Sequence, residues 1–202
     1  DDEYTYVPMG NEINYPNDVA YLHLTSNNTI KGTQYHEFPK TGSVPLICDM
    51  SSDILSHQVD FNQFAMFYAG AQKNLGPSGV TLVVLRDDML GRINNGLPTI
   101  FDYRTHAEKK SLFNTPPSFT IYVVKLILEW IQEQGGLKVV EDNNRKKKDA
   151  IYNLIDANPD YFRAPVRKDS RSWMNIILRL PSEELEQKFI SEAKTKDLIG
   201  LK

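Results

Sequence analysis

Four short apolar runs punctuate the first half of the chain, at residues 19–24, 44–48, 64–68 and 80–85. Each predicts a strand. Three of the four are apolar at nearly every position instead of alternating, which predicts strands buried on both faces of a helix-covered α/β sheet. The linker over residues 69–79 is too short for a helical crossover, so the last two strands are expected to pair antiparallel through an ordered loop. Beyond Pro117 the apolar period lengthens. Ile121, Val124, Leu128 and Ile131 recur at helical spacing over residues 118–134, and Gly135-Gly136 closes that helix. A second helix, polar at its start, is expected over residues 137–155 and a strand over residues 172–180. Pro181-Ser182-Glu183-Glu184 then opens a last amphipathic helix to about Lys196. No internal repeat or low-complexity tract interrupts the pattern, and its character changes near residue 140, from a sheet-rich part to a smaller α+β part.

Composition narrows the class. The 202 residues are 41% hydrophobic and 24% charged, with a formal net charge of −3. That length suits one large domain or two small ones. There is no basic excess to mark a nucleic-acid surface and no apolar run of the ~20 residues a spanning helix needs. Neither nucleic acid nor membrane is therefore an expected partner. The single cysteine, Cys48, excludes an internal disulfide framework and suggests a reducing, cytoplasmic setting. The acidic start Asp1-Asp2-Glu3-Tyr4 shows no signal-peptide h-region.

Candidate chemistry concentrates in a few places. Lys73 lies among Gly70, Gly76 and Gly79, directly after an apolar strand. A desolvated lysine can form a Schiff base with a carbonyl; a surface hairpin lysine is the plainer reading. Asp49 ends the preceding apolar strand, at the end where ligands bind in open α/β sheets. There it can pair with a protonated pyridine nitrogen, or cap a short helix opened by Asp49-Met50-Ser51-Ser52. In Phe113-Asn114-Thr115-Pro116-Pro117, Thr115 is the expected N-cap and Pro116 the first helical residue, a start that also offers donors to a phosphate. Thr25-Ser26-Asn27-Asn28-Thr29 reads as a turn. Arg145-Lys146-Lys147-Lys148 reads as a solvated helix face. The four histidines His23, His36, His57 and His106 have no metal-ligand spacing, so no metal is expected. Cys48, Trp173 and Met174 read as strand residues packed in the core.

Taken in order, these segments resemble a known family. Ala69-Gly70-Ala71-Gln72-Lys73-Asn74, with Gly76-Pro77 and Gly79, is similar to the cofactor-lysine segment of the phosphoserine aminotransferases, a class V pyridoxal-phosphate family. Asp49-Met50-Ser51-Ser52 with Ile54-Leu55-Ser56 resembles the aspartate segment. Phe113-Asn114-Thr115-Pro116-Pro117 resembles the phosphate-contact segment, Asn28-Thr29 with Gly32 the threonine segment, and Arg171-Ser172 with Met174-Asn175 a strand of the small domain.

The resemblance implies an α/β fold of the aspartate-aminotransferase type (fold type I). Residues 1–140 would belong to the large cofactor-binding domain, including the interdomain helix, and residues 141–202 to the small α+β domain. It implies a cytoplasmic homodimer with a shared active site, using pyridoxal 5′-phosphate. The implied reaction converts 3-phosphohydroxypyruvate and L-glutamate to O-phospho-L-serine and 2-oxoglutarate in serine biosynthesis, with a related role in pyridoxine biosynthesis. Lys73 would hold the cofactor covalently and move a proton between Cα and C4′. Asp49 would pair with the pyridine nitrogen, Thr29 would contact the ring, and Gln72 would help hold the phosphate. Asn114 and Thr115 would reach the phosphate of the neighbouring subunit's cofactor.

Family members extend further at both ends, with a phosphate loop, a stacking tryptophan and the arginine for the substrate carboxylate outside the present residues. An internal fragment, inactive by itself, is thus the expectation. The alternatives are another class V enzyme, such as a cysteine desulfurase, and a non-catalytic α/β scaffold. A histidine typically precedes the lysine in desulfurases, where this chain has Gln72. Retention of both Lys73 and Asp49 disfavours the scaffold.

Overall fold

Leu22–Thr25 (β1), Leu46–Asp49 (β2), Met66–Gly70 (β3) and Thr81–Leu85 (β4) form one sheet in the order β1-β2-β3-β4. The first three strands run parallel, and β4 returns antiparallel to β3, as the short linker requires. The computed structural model describes residues 4–16 and 18–201. Asp1, Asp2 and Glu3, read above for a signal peptide, lie outside the described residues. The chain divides into two compact units, a sheet unit (Pro8–Asn27 and Glu37–Asn144) and a carboxyl-terminal unit (Asp1–Val7, Asn28–His36 and Arg145–Lys202).

In the sheet unit, register and pleat sort the side chains into rows. Leu24, Cys48 and Phe67 stand opposite one another on β1, β2 and β3, and all three are buried. The next row, Thr25, Asp49 and Tyr68, turns to the other face because strand side chains alternate, and it is only partly covered or exposed. Burial on both faces was expected of the apolar runs, and the sheet corrects this. Only β3 is buried along most of its length, while β4 has no buried residue, with Leu82 and Val84 exposed.

Asp87–Leu90 (α1), Tyr103–Glu108 (α2) and Ser118–Glu133 (α3) follow the sheet. The start of α3 differs from the expectation. Pro117, not Thr115, is the N-cap, and it makes no side-chain cap bond. Steric exclusion explains the shift, since a residue preceding proline is held out of the helical region and Pro116 precedes Pro117. Of the α3 side chains only Thr120 and Ile131 are buried, while Phe119, Tyr122 and Trp130 are exposed.

Leu137–Ala157 (α4) and Glu183–Thr195 (α5) complete the α-helices among the described residues. Ser182 caps α5, its hydroxyl accepting the Leu185 N–H at 3.3 Å. The expected strand over residues 172–180 is absent; isolated bridges join Thr33 with Arg171 and Arg163 with Arg179. Side chains have taken over the backbone donors there. The Ser172 hydroxyl accepts N–H bonds from Met174 and Asn175 at 3.0 and 2.9 Å, and the buried Gln34 Oε1 accepts that of Trp173 at 2.8 Å.

Candidate active site

Asp49 is the last residue of β2 and follows the fully buried Cys48, whose thiol is pushed up by burial and then by the Asp53 charge. Cys48 is thus a core residue, as expected, and a poor nucleophile. Past Asp49 the chain makes a tight turn. Asp49 Oδ1 accepts the Ser51 N–H at 2.9 Å, and the Met50 carbonyl accepts the Ile54 N–H at 2.9 Å. No helix forms there, so the capping alternative for Asp49 reduces to this local turn.

Buried polar side chains hold the turn against the end of β1. The Ser26 hydroxyl bonds the Asp49 carbonyl at 3.0 Å and meets the buried Asp53 carboxylate. Asn27 Nδ2 donates to Ser52 Oγ at 2.8 Å, and that hydroxyl donates to the Asn27 carbonyl at 2.7 Å. A buried polar network with its partners satisfied fixes geometry strongly. Sequence reading missed Ser26, Ser52 and Asp53 as supports. Their only signal was a density of short polar residues just past two strand ends.

The Lys73 loop begins where β3 ends. Two bonds tie it to the Asp49 turn: Gly70 N–H donates to Ser51 Oγ at 3.0 Å, and Asn74 Nδ2 donates to the Ile54 carbonyl at 2.6 Å. The loop closes on itself, with the Ala71 carbonyl accepting the N–H groups of Leu75 and Gly76 at 3.2 and 2.7 Å. It also abuts α3. A Cβ at Gly76 would stand 2.9 Å from Val124 Cγ2, and Thr120 Oγ1 donates to the Ser78 carbonyl at 3.3 Å. Gln72 folds back over Gly70, where a Cβ would meet its Oε1 at 2.6 Å. Gln72 and Lys73 are exposed and Asp49 partly so. The structure therefore brings the Asp49, Gln72 and Lys73 segments together at the carboxyl ends of parallel strands.

The remaining candidates lie on other segments. Thr29 lies in the carboxyl-terminal unit, on a turn where Asn28 Oδ1 accepts the N–H groups of Ile30 and Lys31, both at 3.0 Å. Asn114 and Thr115 are exposed on the irregular stretch leading to α3. A cavity of about 740 Å³ between β4, α2 and α3 is lined by Leu85, Tyr103 and Val124 among others, but not by Asp49, Gln72 or Lys73.

Two readings of the carboxyl-terminal unit need correction. Trp173 is not a strand residue, and Arg145 and Lys148 do not belong to a merely solvated face. The Arg145 guanidinium and the Lys148 ammonium lie 5.0 and 5.3 Å from the centroid of the partly buried Trp173 ring, in cation–π range. Lys146 and Lys147 are exposed.

The aminotransferase class-V family profile matches residues 3–195. The chain belongs to the class-V aminotransferase family. The phosphoserine aminotransferase of Geobacillus kaustophilus is 53% identical over 198 residues, covering 98% of this chain. A solved phosphoserine aminotransferase from Bacillus circulans subsp. alkalophilus superposes with a TM-score of 0.92 at 54% identity, over 95% of this chain and 53% of that one. A pyridoxal-phosphate-bound phosphoserine aminotransferase from Trichomonas vaginalis gives a TM-score of 0.92 at 33% identity, over 100% of this chain and 57% of that one. The fold is that of the fold type I, pyridoxal-phosphate-dependent aminotransferases, α/β with a mostly parallel sheet. The chain spans about 55% of the length of the curated relatives it matches. These class-V relatives are aminotransferases, which disfavours the desulfurase and scaffold alternatives.

Proposed function

We propose that this chain forms the cofactor-lysine region of a phosphoserine aminotransferase. The observation that carries this reading is the link between the Asp49 turn and the Lys73 loop, through Ser51 Oγ and the Gly70 N–H at 3.0 Å. It holds a carboxylate and an amine on adjoining segments at one end of a sheet.

The residues present fit pyridoxal 5′-phosphate. A partly exposed carboxylate ends a central strand, an amine stands on a loop with solvent access, and Gln72 lies folded over Gly70. When bound, the cofactor supplies an electron sink for the electron pair released as a Cα–H bond breaks. Asp49 holds a proton at the pyridine nitrogen, and an ionised carboxylate there favours the protonated ring. Lys73 anchors the cofactor and, as a free amine, carries the proton between Cα and C4′. Thr29 contacts the ring and Gln72 binds the phosphate. Asn114 and Thr115 serve the phosphate bound by a second subunit, which makes the protein a homodimer with a shared site. In this reading residues 1–140 belong to the large cofactor-binding domain and 141–202 to the small one.

The substrates are a phosphorylated 2-oxo acid, 3-phosphohydroxypyruvate, and L-glutamate. The protein acts in the cytoplasm, in serine biosynthesis and also in pyridoxine biosynthesis. The test follows glutamate-dependent formation of O-phospho-L-serine by a cofactor-loaded protein that carries this chain at the full length of its relatives. Turnover that is lost in Lys73→Ala and falls at least a hundredfold in Asp49→Ala is expected. Equal turnover by the wild type and Lys73→Ala would overturn the reading.

A further inference from the structure

One face of the sheet carries Asp49 among residues that have no part in the chemistry assigned so far. His23 on β1, Ile47 on β2 and Met66 on β3 stand in one register row, and Thr25, Asp49 and Tyr68 in the row two residues on. All six share one face, because residues two apart on a strand point the same way. The Tyr68 side chain spans the middle strand diagonally. Its hydroxyl lies 3.1 Å from His23 Nε2, and the two rings stack with centroids 6.0 Å apart. Tyr68 is also level with Asp49 on the adjacent strand, and the Asp49 charge acts on its phenol.

We propose that Tyr68 is a positioning residue for Asp49, with its hydroxyl donating to the Asp49 carboxylate and accepting the Nε2–H of His23. The direction follows from proton counting. A phenol has one hydrogen to donate, and an ionised carboxylate can only accept. If Tyr68 donates to Asp49, its bond to His23 needs the imidazole to donate, which fixes the proton on Nε2. Burial and then the Asp49 charge push the Tyr68 phenol above its ordinary value, so it remains a donor at neutral pH.

Two donors then orient one carboxylate. Ser51 N–H holds Oδ1 at 2.9 Å from the turn side, and Tyr68 holds the group from the neighbouring strand. A carboxylate that is to hold a pyridine nitrogen needs a fixed orientation, and one at a strand end held by a single bond can swing. In this proposal three parallel strands contribute one side chain each, His23, Asp49 and Tyr68, to a chain of hydrogen bonds that would hold the ring nitrogen of the bound cofactor.

This inference rests on the proposed role of Asp49 toward pyridoxal phosphate. The test measures the dissociation constant and the visible absorption maximum of pyridoxal phosphate on the wild type, Tyr68→Phe, His23→Leu and His23→Gln. Tyr68→Phe keeps the ring and the packing and removes only the hydroxyl. Losing a hydrogen bond to a charged group is expected to weaken cofactor binding about tenfold and to shift the absorption maximum. His23→Leu weakens binding about threefold, and His23→Gln, whose amide restores an N–H donor, returns it to near the wild-type value. Wild-type affinity and spectrum in Tyr68→Phe, or equal behaviour of His23→Leu and His23→Gln, would overturn the inference while leaving the site reading intact. Failure of the wild type to bind the cofactor would overturn both.

Discussion

Ser51 accepts, on its side-chain oxygen, the backbone N–H of Gly70 at 3.0 Å. One hydroxyl two residues past Asp49 thereby fixes the first residue of the segment that leads to Lys73. Ser51→Ala leaves the Gly70 N–H without that acceptor in a partly buried place, a loss of about 1–2 kcal/mol. We expect a lower unfolding midpoint in urea and weaker pyridoxal phosphate binding, with Ser51→Thr close to the wild type. Unchanged cofactor affinity in Ser51→Ala would show that the two segments are set independently.

Gly32 allows one residue type only. Its φ is +72°, and a Cβ there would stand 2.6 Å from Ile177 Cγ1 and 2.7 Å from the Asn175 carbonyl oxygen. The side chain could move, but the carbonyl is backbone. Gly32→Ala therefore combines left-handed strain with a forced shift and should cost about 2–4 kcal/mol. Thermal unfolding of this variant measures the cost, and a midpoint equal to the wild type would contradict the packing described here.

Much of this organisation was legible in the residues, for identifiable reasons. The apolar runs mark β1 to β4, the short linker after β3 determines the β3–β4 pairing locally, and the capping serine of α5 carries its own signal. The residues of the aspartate, lysine and phosphate-contact segments, taken in order, carried the resemblance to the family because each is a contiguous stretch of sequence. The missed features depend on contacts distant in sequence. Gln34 intercepts the Trp173 N–H from 139 residues away, so a strand-like run at residues 172–180 forms no ladder. His23 and Tyr68 lie 45 residues apart and meet only through sheet register. The N-cap before α3 was placed two residues too early, at Thr115 instead of Pro117, a purely local error.

Asp156 gives the carboxyl-terminal unit an acid-sensitive fastening. Its carboxylate takes both outer guanidinium nitrogens of Arg171, at 2.9 and 3.0 Å, and the Lys168 ammonium at 3.0 Å. The hydrogen bonds from Arg171 and then Lys168 hold its pKa down at about 2. Because the folded value lies below the unfolded one, this contribution is fully present above about pH 4 and is lost as pH falls toward about 2. Asp156→Asn should destabilise the protein by about 1 kcal/mol at pH 7, a magnitude reduced by the solvent exposure of the pair. At pH 2 the difference from the wild type should shrink to a small fraction of its value at pH 7. Urea unfolding at both pH values checks this, and a difference as large at pH 2 as at pH 7 would refute the assignment.

The central claim is that Lys73 is the lysine that takes pyridoxal phosphate. Incubating the protein with the cofactor, reducing with borohydride, digesting and sequencing the labelled peptide by mass spectrometry tests it most directly. The expected result is a phosphopyridoxyl group on Lys73 in the peptide containing Gln72 and Asn74, with no label at that peptide in Lys73→Ala. A label on another lysine, or none on Lys73 under saturating cofactor, would contradict the claim.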